Sequence, residues 1–336
     1  MIKTLKKNIR KKLFTTPSHS QKFSIFSKLK NFYKYDISEL EVYDIENALK
    51  KTEQKASEIY KTKHTHYLTN GSTSGILAAV LTCVKPNEKV LIWDKAHRCH
   101  ENAVKLAGAT PVYYSLEKDE EWGIYKPFTT DKLQDNIKAV IVTSPSYYGV
   151  VSDIKNIKQA CRKDVYLIVD EAHGALYPFG VQKSAIYEGA DFVIQSLHKT
   201  AGGLNPTALL HNNTNLDAKP YLDMITTTSP SYPLLASIEK NINYLNSSKG
   251  RKYISELLEN IENLKKNVQT IEFLNYNDPT KIVIKKDGMS GFELSEFLYK
   301  NGIEDEKTND ISTMLLCGIG TDNKKLDKLA QVLSKL

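Results

Sequence analysis

The 336-residue sequence is 41% apolar and 25% charged, which excludes a disordered, collagen-like or miniprotein chain and allows a large core in one or two domains. Its formal charge of +7 is unevenly spread, because residues 1–35 hold ten basic residues and no acid. The remainder is close to neutral, so a polyanion-binding body is not indicated and the basic N-terminal arm reads as solvated or packed on a partner.

Cys83, Cys99, Cys161 and Cys317 are widely spaced with no CxxC pair, which indicates neither a zinc knuckle nor a disulfide framework and suits a reducing compartment. The longest apolar stretch, residues 75–84, is too short for a bilayer, and the basic start is not followed by the apolar run of a secretion signal. A cytoplasmic protein is expected, with no membrane and no nucleic-acid partner.

In chain order, His64 and His66 read as ordinary strand-edge residues. From about residue 66 to 210, short β-rich runs alternate with helical stretches, the pattern of an α/β protein with a mostly parallel sheet. Strands are expected at 90–93, 111–115, 139–143, 165–170, 191–195 and 207–210. Most are continuously apolar, as strands buried on both faces should be. Helices are expected near 72–83, 97–107, 129–137, 153–163 and 180–188. Beyond Pro230 come two long amphipathic stretches, 233–246 and 250–268. A smaller α/β unit follows, with strands at 281–285 and 312–317 and helices near 291–301 and 323–335. The small and polar residues Asn246, Ser247, Ser248 and Gly250 interrupt the helical period. The expected division is an arm over 1–35, a large domain over 36–246 and a small C-terminal domain over 247–336.

Three segments carry candidate chemistry. Asn70-Gly71-Ser72-Thr73-Ser74-Gly75 enters a helical run, where free backbone N–H groups, hydroxyls and the helix dipole favour a phosphate. Alone it reads as readily as a plain helix cap, and it lacks the Gly-Lys-Ser/Thr of a Walker loop. Asp170-Glu171-Ala172-His173-Gly174 puts a carboxylate at a strand's C-terminal end, where ligands of open α/β sheets collect. Its helicase-like spelling fails without a lysine-bearing phosphate loop. Ser196-Leu197-His198-Lys199-Thr200 follows the next strand, and its lysine is either a surface charge or a desolvated amine able to attack a carbonyl.

One ligand explains all three: pyridoxal 5'-phosphate needs a phosphate cradle, a carboxylate for its pyridine nitrogen and a lysine for its aldehyde. Asp170 takes the nitrogen and Lys199 the aldehyde, while Ser72, Thr73, Ser196 and His198 bracket the phosphate. His97 is the candidate to stack on the ring, with Ala172 beneath the other face. His97, Cys99 and His100 could instead ligate a metal, but adjacent helical positions diverge and no second cluster completes a shell, so no metal is expected.

With these residues in view, the sequence resembles the Orn/Lys/Arg decarboxylases, fold-type I pyridoxal-phosphate enzymes acting on basic amino acids. The matching elements run in order along nearly the whole chain: Thr16-Pro17-Ser18-His19, Ser38-Glu39-Leu40, NGSTSG (70–75), AHRCH (96–100), Ser144-Pro145-Ser146-Tyr147-Tyr148-Gly149, DEAHG (170–174), QSLHKT (195–200) and TTTSPSY (226–232). The resemblance implies Lys199 as the cofactor-binding lysine, Asp170 on the ring nitrogen and His97 stacked on the ring. It implies a homodimer with shared active sites, with assembly into a higher oligomer left open, in which Thr228 and Ser229 approach the neighbouring cofactor. It also implies a short form without the further C-terminal domain that many members carry. Glu304, Asp305 and Glu306 lie in a tail of family character, and Glu306 is put forward to receive a substrate's distal cation. Departures are Pro17-Ser18-His19-Ser20, where relatives commonly have Pro-Gly-His-Lys, and Trp93-Asp94, where Asp-Arg is usual.

The implied activity is α-decarboxylation of arginine, lysine or ornithine to agmatine, cadaverine or putrescine, a step of polyamine biosynthesis. The rival readings are an aminotransferase or lyase on the same fold, and a catalytically silent partner of a longer decarboxylase.

Overall fold

The computed structural model describes residue 36 and residues 45–336 except 277, with backbone alone for 45 and 46. The basic arm and the motifs at 16–19 and 38–40 lie outside the described residues.

Helix α1 (Ile45–Tyr60) leads into β1 (His64–Leu68), and α2 (Gly71–Cys83) follows at once. Then come β2 (Lys89–Trp93), α3 (Cys99–Leu106), β3 (Thr110–Tyr114) and a small hairpin of β4 (Lys118–Asp119) and β5 (Ile124–Tyr125). The chain continues through β6 (Ala139–Thr143), α4 (Ile154–Ala160), β7 (Tyr166–Asp170), β8 (Phe192–Ser196), the single turn α5 (Leu197–Thr200) and β9 (Ala208–Asn212).

Seven of these strands form one sheet in the order β1-β9-β8-β7-β6-β2-β3. The five strands β8, β7, β6, β2 and β3 are mutually parallel, while β9 runs antiparallel to both β8 and β1. The fold is thus a mostly parallel α/β sheet, and its parallel core coincides with the apolar runs. Val140, Val142, Leu167, Val169 and Val193 pack on one face, and Ile141, Ile168, Phe192 and Ile194 on the other. β1 is an edge strand carrying His64 and His66. Helix α2 lies so close to the sheet that a Cβ on Gly75 would stand 2.8 Å from Leu68 Cδ1 and 3.0 Å from Ile194 Cγ2.

Two expected helices do not form. Residues 129–137 contain only the 3-10 turn Thr130–Lys132, and Asn136 adopts a left-handed φ of 59°. This stretch has only Leu133 and Ile137 to bury, too few for an apolar stripe. Across 180–188, the buried Glu171 carboxylate takes the Ala185 N–H and the Ser184 hydroxyl, both at 2.7 Å, and so competes with helical bonding. Glu171 also accepts from Gln195 Nε2 at 2.6 Å, and Gln195 Oε1 meets His211 Nε2 at 3.2 Å. Burial holds His211 at about 3, hence neutral. With Nε2 carrying the hydrogen, its Nδ1 accepts from Thr65 Oγ1 at 2.9 Å.

After α6 (Lys219–Ile225), helix α7 (Tyr232–Leu245) packs on the large sheet's core, and α8 (Ser248–Asn267) begins after a break at Asn246. Ser247 caps α8 by accepting from the Gly250 N–H at 3.1 Å. Buried Leu257, Ile261 and Leu264 of α8 recur at near-helical spacing and face a second sheet. That antiparallel sheet has the order β10 (Glu272–Phe273), β11 (Lys281–Lys285), β13 (Thr313–Leu316), β12 (Lys307–Thr308). Helices α9 (Gly291–Lys300) and α10 (Asn323–Leu333) share its core.

The hairpin joins the two sheets. Trp122 and Ile124 pack against Val283, Met314 and Leu274 of the small unit, and Asn309 Nδ2 donates to the Trp122 and Gly123 carbonyls at 3.2 and 3.1 Å. No described helix is long and apolar enough to cross a membrane.

Candidate active site

Parallel strands end together at their C-termini, and a cavity of about 620 Å3 opens there. It brings together Ser72 and Thr73 of α2, His97 before α3, Asp170 at the end of β7 and Ala172 just beyond it, and His198 and Lys199 of α5.

Asp170 closes β7 and is buried. Its Oδ2 lies 2.9 Å from His100 Nε2, and Oδ1 accepts from the Ala172 N–H at 3.2 Å. Burial pushes the carboxyl up, but the His100 hydrogen bond and charge, with Lys199, outweigh it and hold it below the usual range. Asp170 is therefore an anion at neutral pH.

Lys199 Nζ stands 3.1 Å from His173 Nε2 and 5.7 Å from the centroid of the Tyr147 ring. Burial pushes this amine below its ordinary value, while Asp170, Cys99 and Glu306 pull it back. Burial, then the neighbouring Lys199 and Lys281, drive His173 well below the ordinary histidine value, so its imidazole is neutral. The His173 ring packs on Tyr147 at 4.5 Å, and its Nδ1 has no partner among the described residues.

His97 is exposed toward the cavity, and its Nδ1 accepts from the Cys99 N–H at 3.3 Å. Partial burial pushes it below the usual value, against the pull of Asp170. Ala172 is buried in the wall. Gly71, with φ of 77°, turns the chain into α2, and Asn70 supplies no side-chain cap, so other acceptors are free to take the first-turn N–H groups. His198 Nδ1 donates to the Thr207 carbonyl at 3.1 Å, and its Nε2 has no hydrogen-bond partner among the described residues.

Four sequence candidates, Ser196, Thr228, Ser229 and Glu306, lie off this wall. Ser196 ends the central strand β8 and is wholly enclosed, its hydroxyl without a partner among the described residues. Thr228 and Ser229 are exposed in the segment between α6 and α7. Glu306 is exposed beside the cavity, yet its charge acts on Lys199 and Tyr147. In place of His97, it is Asp170 that joins Cys99 and His100, their potential ligand atoms all within 4.8 Å of one another. The His100–Asp170 hydrogen bond accounts for that cluster.

Sequence reasoning assigned no role to His100, His173, Tyr147 or Lys307. The first three stand inside the motifs at 96–100, 170–174 and 144–149, but spelling does not say where a side chain points. Lys307 lines the cavity with Nζ 5.7 Å from the centroid of the Tyr147 ring, opposite to the acid expected of that tail.

The family model of the Orn/Lys/Arg decarboxylase major domain matches residues 9–286. The chain belongs to the Orn/Lys/Arg decarboxylase family. Among curated relatives, the uncharacterized protein YaaO of Bacillus subtilis is 30% identical over 91% of this chain and 71% of its own length. An arginine decarboxylase of Halalkalibacterium halodurans is 28% identical over 86% of this chain and 64% of its own length. The Escherichia coli constitutive lysine decarboxylase structure superposes with a TM-score of 0.85 at 20% identity, over 99% of this chain and 60% of that one. The fold is that of the fold-type I pyridoxal-phosphate enzymes. The chain thus spans about 60% of the length of that lysine decarboxylase.

Proposed function

We propose that this family member binds pyridoxal phosphate in the cavity and decarboxylates a basic amino acid. The observation that carries the reading is the shared wall of Asp170, an anion, and Lys199, an amine of depressed pKa. These two groups, together with the open first turn of α2, fit the ring nitrogen, the aldehyde and the phosphate of that cofactor. Bound there, the cofactor supplies an electron sink for a bond broken at the substrate's α-carbon.

The chain's own residues do the rest. Ser72, Thr73 and His198 Nε2 hold the phosphate, and Ser196 supports the strand behind them. Asp170 keeps the ring nitrogen protonated, with His100 holding its carboxylate in line. His97 and Ala172 flank the ring. Neutral His173, 3.1 Å from Lys199 Nζ, accepts or returns a proton at that amine. The cavity walls would hold the substrate's α-carboxylate for loss as carbon dioxide, and the Lys199–His173 pair would supply the proton that replaces it at Cα. Glu306 receives the distal cation. Thr228 and Ser229, exposed and away from their own cavity, serve the neighbouring site of a homodimer.

Incubation with pyridoxal phosphate and arginine, lysine or ornithine should release carbon dioxide and yield agmatine, cadaverine or putrescine from one of them. No release from all three refutes decarboxylation, and consumption of a keto acid without carbon dioxide identifies an aminotransferase. Mixing Lys199→Ala chains with chains altered at Thr228 and Ser229 should restore part of the lost activity if sites are shared.

A further inference from the structure

A lysine rarely lies wholly inside a protein, because its ammonium must there find acceptors for three donors. Lys281, at the start of β11, is fully enclosed. Its Nζ donates to Asp278 Oδ2 at 2.7 Å, to the His173 carbonyl at 2.8 Å and to Thr280 Oγ1 at 3.1 Å. Asp278 is equally enclosed and accepts from the Tyr177 hydroxyl at 2.9 Å. The Asp278 N–H donates to the Gly149 carbonyl at 2.8 Å. The charged pair thus belongs to the small unit, while its ties reach the turn after β7 and the end of the segment carrying Tyr147.

An anchor between two sheets needs no charge, since a buried ion pair is commonly no more stable than apolar residues of the same volume. This pair does more than join surfaces: its ammonium holds the backbone of His173, whose imidazole meets Lys199. We propose that Lys281 is a positioning residue for Lys199, fixing the His173 carbonyl and facing the amine with a like charge. The inference rests on the reading of Lys199 as the reactive amine. Lys199 is faced by Asp170 of β7, Cys99 of α3, Glu306 before β12, the rings of His173, Tyr147 and His97, and Lys281 of β11. Of the titratable groups acting on it, Asp170, Cys99 and Glu306 favour the ammonium form, whereas Lys281 opposes it.

The test is amine-selective labelling of Lys199 against pH, read by peptide mass mapping on the full chain with no cofactor added. Lys281→Met removes the like charge and leaves Asp278 negative, so the labelling midpoint should rise by on the order of half to one pH unit. Lys281→Arg should bring it back. An unchanged midpoint in Lys281→Met overturns the proposal, as does an Arg midpoint as high as that of Met. If Lys281→Met does not fold, Lys281→Gln keeps a donor for the His173 carbonyl and takes its place, a raised midpoint supporting the proposal and an unchanged one overturning it. A purely structural role would lower the melting temperature and leave the midpoint where it was. In a separate arm, pyridoxal phosphate is added to the unaltered chain and reduced with borohydride. Absence of a pyridoxyl group on Lys199 there refutes the cofactor reading and leaves the labelling result intact.

Discussion

Asp170 and Glu171 leave β7 one after the other and enter different surroundings. Asp170 turns to the cavity, where the His100 hydrogen bond and the nearby Lys199 overcome burial and hold it ionised. Glu171 turns into the core, where burial raises it to about 7 although Ala185, Gln195 and Ser184 all donate to it. His100 and Lys199 offset burial at Asp170, whereas at Glu171 the neighbouring charge is that of Asp278, which raises it further. The cavity side keeps a reactive group with a spare valence, His173 Nδ1, among the described residues, whereas on the core side Glu171, Gln195, His211 and Thr65 form one hydrogen-bonded chain. Reactivity and cohesion are thus divided between adjacent residues where one strand ends.

That division can be broken from either side. The largest effect is expected from Lys199→Ala, which should abolish incorporation of a pyridoxyl group on borohydride reduction while leaving the melting temperature nearly unchanged. Asp170→Asn, which removes the anion from the ring nitrogen, should lower carbon dioxide release by at least about a hundredfold, measured at saturating cofactor. On the core side, Glu171→Ala strands three donors and should cost roughly 2–4 kcal/mol of stability, read from denaturant unfolding.

The pH dependence of stability sharpens the contrast. Because the folded-state pKa of Glu171 is raised from 4.5 to about 7, the folded chain holds that proton more tightly than the unfolded chain. Its contribution is full below about 4.5 and is lost as the pH rises to about 7, a change on the order of 3 kcal/mol. Glu171→Gln should flatten that slope in melting curves taken across the window. Ser184→Ala, removing one of the three donors, should cost only about 1 kcal/mol.

The sequence made the cavity side legible because its residues sit in short motifs at strand ends, where an α/β sheet gathers ligands. Asp170, Lys199, His97 and Ser72 needed only that rule. Ser196 did not follow it: one residue before α5 it is still within β8, enclosed on both faces. The core side was hidden because Glu171 finds its partners 13, 14 and 24 residues away. Strand alternation alone would have turned Glu171 away from Asp170, but nothing local reveals that its carboxylate displaces the helix expected at 180–188. The two-residue strands of the hairpin are too short for periodicity to register.

The hairpin of β4 and β5 springs from the large sheet, and its tip is sunk among Val283 and Met314 of the small one. At its base Tyr125 meets the Trp93 ring at 5.1 Å on the cavity wall. A panel fastened along two opposite borders has no free side on which to swing. Tyr125 and Trp93 therefore keep their places on the wall through both sheets at once.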